Sequence, residues 1–262
     1  MNGIAWPKNR KAAVSLTYDD ALPCHHRAVA PFLQSHGMRG TFYVTVCSRF
    51  LEETDAWRQV AKDGHELGNH TLFHPCYGAK GEPISWLDAG YNLRHYSPAR
   101  WKDEVRVANW ALQQVDGRAR RSFGNTCHNR WIGEGDSLIC LDTLMLEHFV
   151  AARGAHSGRA VDPTAPDFTN LGTKGASRRT FVELREELSG VREAGAWMIY
   201  TMHAVGRGES GHFIEEEEHR QLVEWLAAEG DLWVAPVAEI ATWLAGQAQG
   251  TLSRHGEVRG LA

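Results

Sequence analysis

No stretch of the 262-residue sequence approaches the ~18 consecutive apolar residues of a bilayer-spanning helix, so no membrane partner is expected. Lys and Arg never cluster into a run, and the formal net charge is −4, which argues against nucleic acid as the main partner. Cysteine is scarce: five residues, at positions 24, 47, 76, 127 and 140, form no Cys-x-x-Cys pair and no even-numbered framework. They are expected as free thiols in a reducing compartment, with the cytoplasm as the expected location. The first apolar run starts at Ala12, which leaves no room for a signal peptide ahead of it; an export segment removed upstream would instead mean a secreted or periplasmic protein. Internal repeats, low-complexity tracts and interdomain linkers are also missing. What remains, 43% hydrophobic, suits one large core: a single domain over residues 1–262, with its core at about 10–246.

The chain that is there alternates strand with helix. Apolar or β-branched runs at Ala12–Leu16, Gly40–Val46, His65–Asn69, Ser122–Gly124, Phe149–Arg153, Trp197–Met202 and Leu232–Ala235 read as strands. Helices are expected over His25–His36, Asp55–Lys62, Glu215–Glu229 and Val237–Leu244. Ser97 with Pro98 predicts a helix start whose apolar face carries Trp101, Val105, Ala108 and Leu112, with Gly117 after its end. Thr180-Phe181-Val182-Glu183 is a capping box opening another helix. Residues 75–96 and 154–178 read as long loops. This α/β pattern, with polar residues at the carboxyl ends of strands, predicts a parallel barrel; an open doubly wound sheet shares the same local signature.

Chemistry concentrates at two places. Asp19 and Asp20 stand side by side where the first strand ends. Neighbours on an extended chain point to opposite sides, so one carboxylate can bind something while the other stays free. Taken alone the pair would be a turn or a helix cap. Fifty residues on, however, comes His70-Thr71-Leu72-Phe73-His74. Two histidines four apart plus one carboxylate give three ligands and leave a position open, as in catalytic metal sites. Thr71 follows His70 where zinc proteases carry a glutamate base, so the base must come from elsewhere, and the spare carboxylate of the aspartate pair is the candidate.

Thr17-Tyr18-Asp19-Asp20 and His70-Thr71-Leu72-Phe73-His74 together resemble the first two motifs of the polysaccharide deacetylase family of carbohydrate esterases, Thr-Phe-Asp-Asp and His-Ser/Thr-x-x-His. The resemblance extends from about Arg10 to Gly246 and implies an irregular, incomplete (β/α) barrel of seven strands. Tyr200-Thr201-Met202-His203 is similar to the family's late Leu-x-His motif, although a histidine after a buried strand is by default a satisfied core or cap residue. The family's third motif, Arg-x-Pro-x-Gly, has no match in register. Its counterpart is Ser122–Arg130, with Cys127 at the place of a relative's Tyr-Pro-Cys-Gly cysteine and His128 or Arg130 as stand-ins for the arginine that steadies the catalytic aspartate. Asp162 and Asp167 are candidates for the carboxylate behind His203, or simple Asx-turns.

By this resemblance Asp20, His70 and His74 hold a divalent metal, expected to be zinc; Asp19 is the base, His203 the acid, and an acetylated sugar or oligosaccharide the substrate. N-acetyl is expected ahead of O-acetyl. Of ten tryptophans, Trp86 is the candidate sugar-stacking residue, while Trp101 is expected as helix core. Cys24 and Cys76 are expected as buried thiols, and His212 and His219 as caps or surface. Three alternatives remain: a cyclic-amide hydrolase resembling allantoinase, a carbohydrate-binding relative without catalysis, and a non-haem iron oxygenase, which would leave Asp19 without a role.

Overall fold

The structure, a computed structural model, describes residues 4–82, 84–154 and 158–256. Its elements in order are β1 (Ala12–Asp19), α1 (Ala30–Ser35), β2 (Thr41–Val44), α2 (Thr54–Lys62), β3 (Glu66–Asn69), α3 (Pro98–Asp116), β4 (Phe123–Gly124), β5 (Ala152–Arg153), β6 (Lys174–Gly175), α4 (Phe181–Ala194), β7 (Trp197–Met202), α5 (Glu216–Ala228), β8 (Leu232–Val234) and α6 (Val237–Gly256). Seven strands run parallel in the order β5-β4-β3-β2-β1-β7-β6, an open half-barrel, and β8 pairs beside the start of β1. Segment 168–175 reaches from one edge to the other: Ala152 N donates to Phe168 O, and Leu171 N to Ala152 O, before Lys174 joins β7. Among the described residues no helix is long and apolar enough to cross a membrane.

Local signals set the boundaries. Ser97 accepts from Arg100 N at the start of α3, and Gly117 closes that helix at φ 71. Thr180 and Glu183 form the reciprocal capping box of α4. Two expectations needed correction. The 154–178 loop contains β6, whose two residues carry no apolar alternation; it is held from outside, by Ala176 N donating to Thr201 O and by Thr173 Oγ1 donating to Ile199 O. The expected His25–His36 helix opens with a wider π-type turn over His25–Val29, which turns His25 inward, before α1 begins.

Strand alternation separates two kinds of interior. Val14, Leu16, Tyr18, Phe42, Val44, Leu67, Met198, Tyr200 and Met202 face the helices and join one apolar cluster. The opposite face of the same strands carries Ser15, Thr17, Asp19, Thr41, Glu66, Arg153 and Thr201, all buried. These polar groups bond to one another. Glu66 accepts from Ser122 N, Ser122 Oγ, Thr41 Oγ1 and Ala238 N, and the Tyr43 hydroxyl meets Ser122 Oγ at 3.0 Å. Buried polar groups satisfied in this way avoid the desolvation cost that would otherwise unfold the half-barrel.

The Tyr43 ring packs between two strands that can approach it only because they present glycine. A Cβ at Gly68 would lie 2.5 Å from Tyr43 Cδ1, and one at Gly124 would lie 2.8 Å from Tyr43 Cγ. Gly190 in α4 meets nothing within 4 Å. Gly124→Ala is therefore expected to destabilise the fold by about 1–3 kcal/mol through overpacking, whereas Gly190→Ala is neutral or stabilising by up to about 1 kcal/mol. Denaturant unfolding midpoints of the two variants check this ordering.

Candidate functional site

The carboxyl ends of the strands open into a cleft of about 850 Å³ lined by Asp19, Asp20, His70, His74, Asn125 and His203, among others. Asp19 ends β1 on the inward face with Thr17. The chain then turns left-handed at Asp20 (φ 79) and Ala21 (φ 50), which swings the Asp20 carboxylate toward the histidines. Among the described residues, six of the nine non-glycine positions with positive φ lie in the loops around the cleft: Asp20, Ala21, Thr71, His74, Cys127 and His128. Backbone held in these sparsely populated regions must be fixed by its surroundings.

The histidine loop shows how. Asn69 Oδ1 accepts from Thr71 N at 2.7 Å, Thr71 Oγ1 accepts from His74 N at 3.0 Å, and Asn69 Nδ2 donates to Val105 O on α3. Glu104, also on α3, accepts from Phe73 N at 3.4 Å and from the Tyr96 hydroxyl at 2.9 Å. The result is that His74 Nε2 lies 3.2 Å and His70 Nε2 3.5 Å from Asp20 Oδ1. Their ligand atoms all fall within 4.8 Å of one another. His70 Nδ1 donates to Gly124 O at 2.7 Å, which leaves its Nε2 lone pair facing Asp20. Asp20 Oδ1 is buried with no hydrogen-bond partner among the described residues. A buried, otherwise unsatisfied carboxylate oxygen beside two oriented imidazoles fits a divalent cation of zinc's ligand preferences.

Asp19 has a different environment. Arg153 Nη1 donates to Asp19 Oδ1 at 2.7 Å and Nη2 to Oδ2 at 2.5 Å, with both side chains buried. Burial pushes the Asp19 carboxyl up, but the Arg153 charge, with His70 adding, outweighs it and holds the group at about 2. The partner of Asp19 is thus Arg153 on β5, not the expected His128 or Arg130. Arg130 is not brought to the cleft: its guanidinium is held by Asp142. His128 does line the cleft, with Nδ1 3.2 Å from Gly154 O. The signal for Arg153 was present, since a charge ending an apolar strand is what marked Asp19.

His203 follows β7 and places Nε2 3.9 Å from Asp20 Oδ2. Its backbone carbonyl accepts from His25 Nε2 at 2.8 Å. Burial lowers its pKa, with Arg153 and His212 acting in the same direction against Asp19 and Asp20. Asp162 and Asp167 do not back it: each accepts from the backbone and hydroxyl two residues on, as Asx-turns. His203 Nδ1 is buried without a partner among the described residues. His212, expected as a cap or surface residue, is exposed and lines the cleft, with its ring 5.3 Å from that of His203. His219 is core, bonded to the Tyr18 hydroxyl at 2.8 Å. Trp86 is 62% exposed on the cleft wall, its ring 5.6 Å from His74. Asn125, unnoticed in the sequence, lines the cleft, with neither amide atom partnered among the described residues.

The cysteines differ most from expectation. Cys76 and Cys127 are joined in a disulfide, leaving Cys24, Cys47 and Cys140 free among the five. A separation of 51 residues hid a pairing that the fold creates by laying the loop after His74 against the loop after β4. The cysteines therefore no longer argue for a reducing compartment, and Cys127 reaches the cleft as half of a cross-link.

Residues 7–125 match the family model described as polysaccharide deacetylase, a span that takes in both aspartates and both histidines and leaves out Arg153 and His203. A peptidoglycan-N-acetylglucosamine deacetylase from Bacillus cereus is 24% identical over 189 residues, 63% of this chain and 66% of that protein. A gellan lyase from Bacillus sp is 30% identical over 78 residues, 30% of this chain and 3% of that protein. The chain thus spans less than two thirds of the length of the curated relatives it matches. By structure it resembles the Puue allantoinase (TM-score 0.60, 13% identity, 92% of this chain and 93% of that one). It also resembles a peptidoglycan deacetylase from Bacillus subtilis (TM-score 0.51, 12% identity, 95% and 98%). At these identities the structural likeness concerns the fold.

Removing one partner of a buried ion pair strands the other charge, so Arg153→Met is expected to cost about 3–5 kcal/mol at pH 7. The cost is smaller when Asp19→Asn is present as well. Because the Asp19 pKa is depressed in the fold, its contribution is complete above its unfolded value near about 4 and is lost as pH falls toward about 2. Denaturant unfolding of the single and double variants between pH 2 and pH 7 checks both statements.

Proposed function

We propose that this chain, whose residues 7–125 carry the polysaccharide deacetylase pattern, is a metal-dependent hydrolase that removes acetyl groups from an acetylated sugar, with N-acetyl expected ahead of O-acetyl. The observation that carries the reading is the division of labour between adjacent carboxylates: Asp20 faces His70 and His74, while Asp19 is held apart, ionised, by Arg153. A divalent cation bound at Asp20, His70 and His74 would supply Lewis-acid polarisation of the acetyl carbonyl and lower the pKa of a water molecule.

The chain's own groups do the rest. Asp19, ionised at neutral pH, accepts the proton of the attacking water. Arg153 keeps that carboxylate oriented and tempers its basicity. His203, across the cleft, donates a proton to the departing nitrogen or oxygen, a step that amine leaving groups need more than alcohols do. Trp86 offers an exposed aromatic face beside His74 on which a sugar ring can stack.

The test starts with metal content and acetate release from a panel of N- and O-acetylated sugars, with a cyclic amide as an additional arm. About one divalent cation per chain is expected, together with acetate release that chelation stops and added zinc restores. Asp19→Asn is expected to keep the metal and lose at least about 10²-fold in kcat, the range of general-base loss, whereas His70→Ala is expected to lose the metal as well. Metal-free protein with unaltered turnover after chelation would sink the reading, and turnover of the cyclic amide alone would replace it with the allantoinase-like one.

A further inference from the structure

His74 has two ring nitrogens, and the reaction outlined above uses one of them. Nε2 faces Asp20, while Nδ1 lies 3.7 Å from Cys76 Sγ. One ligand atom from each of His74, Cys76 and Cys127 lies within 4.8 Å of the others, a second cluster of metal-ligating types beside the first. In the folded chain the two sulfurs are covalently joined, so they cannot ligate. Their surroundings are asymmetric. Cys76 is 3% exposed, whereas Cys127 is exposed and lines the cleft. A small thiolate entering the cleft therefore meets the Cys127 sulfur first, with buried Cys76 as the leaving group.

We propose that the Cys76–Cys127 pair is reducible in the folded protein and that the two thiols, with His74 Nδ1, then form a second metal site selective for thiophilic divalent cations. The reductant is a dithiol. Its thiolate bonds to Cys127 Sγ and the Cys76–Cys127 bond breaks, releasing Cys76 as thiolate. The reagent's second thiol then closes its own disulfide and frees Cys127, so two electrons pass from dithiol to protein. Metal binding afterwards releases to solvent the remaining thiol protons and, where His74 Nε2 is already engaged by the first cation, the Nδ1 proton, the ring then bridging as imidazolate.

The geometry supports ligation by the reduced pair. Around a tetrahedral zinc-like ion with sulfurs at ~2.3 Å, two thiolates stand ~4 Å apart. Side-chain rotation can reach that separation from Cα atoms 5.8 Å apart. Two thiolates and one imidazole are a soft set, in contrast to the carboxylate and two imidazoles next door, so the two clusters differ in the cations they select. The clusters also share a residue. In the oxidised chain His74 serves Asp20 and His70 alone. In the reduced chain its ring is drawn on from both sides, and the left-handed backbone at His74, Cys127 and His128 loses the cross-link that spans it. The redox state of the pair thus bears on the geometry of the first metal set without touching Asp19 or His203.

Cobalt(II) is the probe, since thiolate ligation gives a near-ultraviolet sulfur-to-metal charge-transfer band that nitrogen and oxygen ligands do not. The full chain is treated with dithiol, freed of reagent under anaerobic conditions and titrated with Co2+, alongside the untreated oxidised chain and Cys76→Ser/Cys127→Ser. The reduced chain is expected to show the band and to bind one more equivalent of Co2+ than the oxidised chain, which shows none; reoxidation removes it. The double variant is expected to lack the band under reducing conditions, which excludes Cys24, Cys47 and Cys140 as its source. A pair that the dithiol leaves intact in the folded protein, a reduced chain without the band, or a band that survives in the double variant overturns the proposal. None of these readouts depends on acetate release.

Discussion

A buried ion pair at the mouth of the half-barrel, Asp19 with Arg153, constrains most of what surrounds it. Moving two ions out of water costs several kcal/mol per ion, and their attraction repays it only when the remaining polar atoms are satisfied. The inward strand face is accordingly polar. Arg153 Nη1 also donates to Thr17 Oγ1, and the Arg153 guanidinium lies 4.5 Å from the centre of the Tyr43 ring. The ring in turn requires glycine at positions 68 and 124. Apolar side chains in these places would stabilise the fold at least as well, so the arrangement is better explained by what it holds in place: an ionised carboxylate pinned next to Asp20, His70 and His74.

That pin also explains why adjacent aspartates behave so differently. Both lie near the same histidines, yet buried Asp19 has both oxygens engaged by a guanidinium, while half-buried Asp20 has an inner oxygen with no hydrogen-bond partner among the described residues. The alternation of an extended chain would have separated them in any case. The left-handed step at Asp20 goes further and turns its carboxylate back into the cleft. The geometry of this site therefore depends on backbone conformations unfavourable to ordinary residues, each secured by neighbours: Asn69 and Thr71 for the histidine loop, Glu104 and Val105 from α3, and the Cys76–Cys127 link between two loops.

Six of the seven half-barrel strands, β8 and the helix caps at Ser97 and Thr180 were legible because each rests on residues close together in the chain. Asp19, Asp20, His70, His74 and His203 were legible because each stands at the end of an apolar run or in a spaced pair. What escaped depends on distant partners. Arg153 lies 134 residues from Asp19, and its replacement of an arginine expected near β4 moves the supporting charge one strand along the sheet. The disulfide, the place of His212 at the cleft and the strand at Lys174–Gly175 likewise arise where long loops meet elements far away in sequence, and no local periodicity announces them. Arg130 was misjudged for the converse reason: a charged residue in the right stretch of chain was already claimed by Asp142.

His203 is where the site is least reinforced. Its carbonyl is anchored by His25, but its Nδ1 has no carboxylate behind it, and burial works against its charged form. A carboxylate in that position would fix the tautomer and stabilise the imidazolium. Here the ring has the His212 ring beside it and its Nε2 3.9 Å from Asp20 Oδ2. The burden this places on His203 grows with the basicity of the atom that leaves: an alkoxide departs with modest help, an amide nitrogen only once protonated. Under the proposed deacetylation, His203 is therefore the group at which N-acetyl and O-acetyl substrates would separate, since Asp19 and the Asp20–His70–His74 set would serve the attack on either carbonyl alike.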